Sequence, residues 1–142
     1  MEGLSNIDAE GFRWPSGADM AIAGLSVRLS RLAEAAKLNL CSWEEDGLGP
    51  VHGALCRLPS GRVVLLREVE HAVEHLGASG PDIHADLQEV ATEGIKPILS
   101  ELLAALKLST DAVAWSQGAD VRESAAEILG HTHRYRSPPE DH

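Results

Sequence analysis

Residues 51–67 read Val-His-Gly-Ala-Leu-Cys-Arg-Leu-Pro-Ser-Gly-Arg-Val-Val-Leu-Leu-Arg, two apolar runs separated by Pro59-Ser60-Gly61. Proline presets φ for a turn, and Gly61 is free to adopt positive φ. The run from Arg62 to Arg67 is β-branched and bounded by that turn, which is a strand signature. Two strands joined across three residues predict an antiparallel hairpin. It offers Val63 and Leu65 to one side and Val64 and Leu66 to the other.

Working upstream, residues 38–45 alternate as a strand does, and Asp46-Gly47 supplies the next turn. Between Asp19 and Lys37, Ile22, Leu25, Leu29, Leu32 and Ala36 recur at spacings of three and four. That stripe predicts one long helix with Asp19 as its N-cap. Residues 1–17 are punctuated by Gly3, Gly11, Pro15 and Gly17 and read as an irregular leader, with Trp14 available to anchor it.

Downstream, residues 68–76 fit a helix and a strand equally well. Ile83, Ala85 and Leu87 predict a short strand, and Ile95, Ile98, Leu99, Leu102, Leu103 and Leu106 a helix over 92–108. Pro97 must mark either the start of that helix or a kink in it. Residues 112–115 suggest an edge strand. Asp120 with Glu123 three residues on opens a last helix that packs Val121, Ala125, Ile128 and Leu129. The predicted class is α+β: a small antiparallel sheet of three to five strands with helices packed on one face. A single domain is expected over 18–130, followed by a mobile tail at 131–142.

Composition narrows the function classes. The 142 residues suit one domain; 44% are apolar but only 4% aromatic, so Leu, Val, Ile and Ala must build the core. Twenty-two acids against 12 bases give a net charge of −10. Phosphates repel such a surface, so neither nucleic acid nor an anionic membrane is the expected partner. The chain starts without a basic region leading into an apolar one, and no apolar run approaches the ~20 residues that span a bilayer. The expected location is cytoplasmic, with Cys41 and Cys56 as reduced thiols.

The charge is also uneven. Residues 40–93 hold ten acids and only three bases, Arg57, Arg62 and Arg67, and so carry −7 of the total. An acidic sheet-and-loop surface covering a basic protein partner is therefore the expected function. Its candidate contact residues are Trp43, Glu44, Glu45, Asp46, Glu68, Glu70 and Glu74. Trp43 beside three acids has the composition of a binding hot spot, an aromatic anchor ringed by charge. If these acids are exposed, reversing Glu68, Glu70 and Glu74 should leave stability within about 1 kcal/mol. In size, charge and element order the chain resembles toxin-blocking immunity proteins and dimeric secretion chaperones, although no motif carries the likeness. An open sheet edge would also allow pairing with a second copy.

The alternative is enzymatic. His71-Ala72-Val73-Glu74-His75 has the H-x-x-E-H form and resembles the inverted zinc peptidases over those five residues. The resemblance implies His71 and His75 as zinc ligands and Glu74 as the base for a metal-bound water. Ordinary solvated Glu and His among Ala and Val account for the same five residues, so no cofactor is expected. His131 and His133 form a second histidine pair near a helix end, where the dipole alone favours them. Neither a G-x-S-x-G elbow nor a phosphate-binding glycine loop occurs.

Overall fold

The computed structural model describes residues 3–70 and 80–136, with 131–136 given by their backbone. In chain order the elements are β1 (Ser5–Asn6), β2 (Asp19–Leu25), α1 (Leu29–Ala36), β3 (Cys41–Glu45), β4 (Gly49–Arg57), β5 (Val63–Val69) and β6 (Asp82–Asp86). These are followed by α2 (Leu87–Glu93), α3 (Lys96–Leu106), β7 (Val113–Ser116) and α4 (Val121–Arg136). The class is α+β. The sheet is larger than expected, with seven strands rather than three to five among the described residues.

The hairpin stands at its centre. β4 and β5 pair antiparallel from Val51↔Val69 to Arg57↔Val63 around the Pro59-Ser60-Gly61 turn. Beyond β5 come β6, β2 and β7, each antiparallel to its neighbour. On its other edge, β4 is shared end to end by β1, which pairs with Cys56 and Arg57, and β3, which pairs with residues 49–53. The extra strands are ones whose signal is weak: two residues for β1, four for β7, and the segment predicted as the start of a helix for β2.

That last point is a correction. Asp19–Leu25 is a strand, and the helix is only the eight residues Leu29–Ala36. Ile22 and Leu25 keep helical spacing with Leu29 by coincidence, because a register shift between Ala21 and Ala23 breaks the two-residue period and buries both Ile22 and Ala23. Pairing on both sides, with β6 and β7, outweighs local propensity. Gly24 is the one contrary signal, since glycine inside a helix costs about 1 kcal/mol relative to alanine.

The apolar stretch at 92–108 is likewise divided. α2 closes at Gly94 (φ 77°), and α3 begins anew with Pro97 in its first turn, where a missing N–H costs nothing. α4 continues to Arg136, past the His131 boundary drawn from sequence.

One core joins helices to sheet. Ala54, Cys56, Val64, Leu66, Ile83 and Ala85 from the sheet meet Leu29, Leu32, Val90, Ile98 and Leu102 from the helices. The odd-numbered positions of β5, Val63, Leu65, Arg67 and Val69, belong to the other face, and they are half-buried where their even-numbered neighbours are buried. Val51 and Leu55 are buried yet stand outside the helix-side cluster. A second set of residues therefore covers this second face of the sheet.

Candidate functional site

The cover comes from the leader and β3. Phe12 and Trp14 meet edge to face, with ring centroids 5.1 Å apart at 83°. Together with Cys41, Trp43, Leu55 and Leu65 they wall a cavity of about 180 Å³ on the second sheet face. Trp43 reaches this position because its cross-strand neighbourhood includes Gly53, where any Cβ would come within 2.8 Å of the indole. Glycine in a strand often marks such a close approach. Trp115 lies over Gly24 in the same way on β2, and it remains 42% exposed.

Trp43 is fixed at its polar edge as well. Its Nε1–H donates to Glu45 Oε2 at 2.7 Å, and Arg67 Nη2 donates to Glu45 Oε1 at 2.8 Å. The Arg67 hydrogen bond, joined by that from Trp43, holds the Glu45 carboxyl below its ordinary pKa, so it stays ionised. Glu45 is thus a positioning group for the indole. Glu44 and Asp46 flank it, both exposed, and neither makes an ion pair among the described residues.

The other predicted contact residues separate. Glu68 is 5% exposed and faces the helix side, where its Oε2 accepts the Leu29 N–H at 2.9 Å. No side chain of α1's own caps that helix, so Glu68 serves as its N-cap from across the fold, with Arg28 Nε 3.5 Å away. A buried carboxylate in this role is not a surface contact, and reversing its charge would not leave stability unchanged. Glu70 bonds His52 Nε2 through Oε1 at 2.8 Å, and Ser42 Oγ lies 2.7 Å from His52 Nδ1. Glu74, with His71 and His75, lies outside the described residues, as do the side chains of His131 and His133.

The Ser42–His52–Glu70 chain is not legible in sequence, because ten and eighteen residues separate its members. Strand register creates it: Ser42 opposes His52 across β3 and β4. With a neutral imidazole donating from Nε2, Nδ1 would accept the serine hydroxyl, the relation of nucleophile, base and orienting acid. Ser42 is exposed, and His52 and Glu70 keep 33% and 42% of their side-chain surface open to solvent. Water competes for each bond there. Ordering Glu70 at the end of β5 is the effect the geometry supports.

Acids beyond β5 are also engaged. Arg62 binds Glu93 and Glu101, the latter at 2.8 Å. Asp86 accepts Gln88 N–H at 3.0 Å as the cap of α2, and the Ser16 N–H and hydroxyl at 2.9 Å. Much of the acidity at 40–93 therefore holds helices and loops in place. Among the described residues, no group of three or more His, Cys, Asp or Glu is arranged to hold a metal ion. None of the described helices is long and apolar enough to cross a membrane.

Comparisons with protein-family models, with curated proteins and with solved structures gave no match.

Proposed function

We propose that the chain is a protein-binding module that receives a basic partner protein at the β3 edge of the sheet, with Trp43 on the second face as the anchor and the exposed Glu44 and Asp46 of β3 and its turn as the charges that meet it. The observation carrying this reading is the aromatic cavity on a sheet face free of the helical core, with exposed Glu44 and Asp46 following its central indole along β3 and into the next turn. Interface hot spots have this form: an aromatic residue in a desolvated pocket, surrounded by a polar rim. Glu45 and Arg67 fix the indole before any partner arrives, which lowers the entropic cost of binding. The net charge of −10 steers a basic partner toward the surface from beyond contact distance.

The test is capture from native cell lysate at low salt with two matched double reversals. Glu44→Lys with Asp46→Lys should abolish capture of a Lys/Arg-rich protein. Glu123→Lys with Glu127→Lys, exposed acids on α4, should retain it. Association by the unmodified chain should slow with salt, because the screening length falls to about 8 Å at physiological ionic strength. Equal loss with both doubles would reduce the acidity to a solubility feature.

A further inference from the structure

The register of β3 with β4 identifies main-chain groups that the fold leaves unused. Trp43 stands opposite Val51, Glu44 opposite Pro50 and Ser42 opposite His52. Opposed residues in an antiparallel ladder alternate between pairs that exchange both main-chain hydrogen bonds and pairs that exchange none. Pro50 has no N–H to donate, so Glu44 and Pro50 form a pair of the second kind. By the same alternation, so do Ser42 and His52. In such pairs the N–H and C=O of each residue turn away from the strand opposite, which on β3 means outward from the sheet. Neither Ser42 nor Glu44 has another main-chain partner, and no strand pairs with the outer side of β3, among the described residues. The other border of the sheet, β7, is blunted: it has four residues, and a register shift against β2 leaves Ala114 unpaired. β3 keeps one unbroken register from Cys41 to Glu45.

The geometry points to β3 as the template for an added strand: an extended, basic segment of the partner, antiparallel to β3 and hydrogen-bonded to the main chain of Ser42 and Glu44. The inference rests on the binding-module reading above and says how the partner is held. In this mode main-chain bonds supply attachment and alternate side chains supply selectivity. The partner residue opposite Glu44 shares its sheet face. A Lys or Arg there meets an exposed carboxylate that pairs with no cation among the described residues. The next residue, opposite Trp43, falls on the other face beside the indole, where a β-branched side chain pairs well, and the one opposite Ser42 suits threonine. A second copy of this chain fits poorly. β3 holds no cation to offer Glu44, and two chains of net charge −10 repel.

The experiment uses the full chain and the end-capped peptide Thr-Lys-Val-Thr-Val, with amide hydrogen exchange read residue by residue by NMR. In the free chain the Ser42 and Glu44 amides should exchange fast and the Trp43 amide, which bonds β4, slowly. Saturating peptide should slow Ser42 and Glu44 on the order of tenfold or more. Methylating the peptide's Lys nitrogen, which faces β3, should weaken binding on the order of tenfold. Methylating the nitrogen of the central Val, which turns away, should leave binding unchanged, and Glu in place of Lys should abolish it. Equal binding of the two methylated peptides, a Trp43 amide that exchanges as fast as its neighbours, or protection confined to β7 would each overturn the added strand. Protection of Ser42 and Glu44 that grows with the concentration of the free chain would assign the edge to a second copy instead.

Salt and charge reversal separate this failure from failure of the wider reading. Peptides that bind regardless of methylation, yet lose affinity with salt and with Glu44→Lys/Asp46→Lys, keep the acidic module and remove the added strand. If no peptide binds at low salt while the full chain still captures a basic protein, the strand again falls alone. If capture fails too, both fall.

Discussion

Removing the carboxylate of Glu68 should destabilise the protein although the residue lies in the most acidic part of the chain. Three contributions set the size. The Leu29 N–H donates to it at 2.9 Å, and a buried hydrogen bond to a charged group is worth about 1.5–3 kcal/mol. A carboxylate at a helix N-terminus adds about 0.3–1 kcal/mol, more where it is buried. Arg28 is half exposed at 3.5 Å, so that pair adds well under about 1 kcal/mol. Relief of the buried charge offsets part of the total, which leaves about 2–4 kcal/mol for Glu68→Ala. An eight-residue helix without a local side-chain cap has no substitute for it. Urea unfolding followed by circular dichroism should show the midpoint falling by roughly 1–2 M at unchanged slope. Glu68→Gln keeps an acceptor for the amide and should cost about half as much. Exposed Glu44→Ala should stay within about 0.5 kcal/mol of the unmodified chain. A Glu68→Ala variant as stable as Glu44→Ala would refute the tertiary cap.

Gly53→Ala should cost about 1–3 kcal/mol and displace the Trp43 indole signal, since the new Cβ meets the ring at 2.8 Å inside a walled cavity. Gly24→Ala should cost less, because exposed Trp115 can swing away. Burial, and then the charge of Asp86, raises the Glu89 pKa above its ordinary value. A carboxyl raised in the folded state loses stability as pH climbs from its unfolded pKa through its folded one. Glu89→Gln should therefore be the more stable form at pH 7, with the gap closing below about pH 4.5 in unfolding titrations. Burial drives the Cys56 thiol up to about 12, and the residue is fully enclosed. Native-state alkylation followed by peptide mapping should modify Cys41 and spare Cys56 until the chain unfolds.

The hairpin, its turn, the edge strand near Trp115 and the start of the last helix were readable from residues alone, because each is specified within a few neighbours. Turn chemistry at Pro59 to Gly61 and the Asp120 start of α4 need no distant partner. The class, α+β, follows from their order. Trp43 beside three acids is likewise a local composition, which is why the sequence singles it out as a candidate contact residue.

Long-range pairing decided the rest. Asp19–Leu25 carries a helical spacing yet lies as a strand, because β6 and β7 satisfy its backbone on both edges and a register shift re-aims its side chains. The cavity required the leader to cross the second sheet face and Gly53 to admit the indole, contacts about 40 residues apart for Trp14 and Leu55. Above all, the sequence by itself determined how many acids the chain has, while only the tertiary structure decided which remain available. Glu45, Glu68, Asp86, Glu93 and Glu101 meet arginines or helix amides in the fold, and Glu44 and Asp46 point to solvent. A charge count is additive along the chain, but exposure depends on what folds against each side chain.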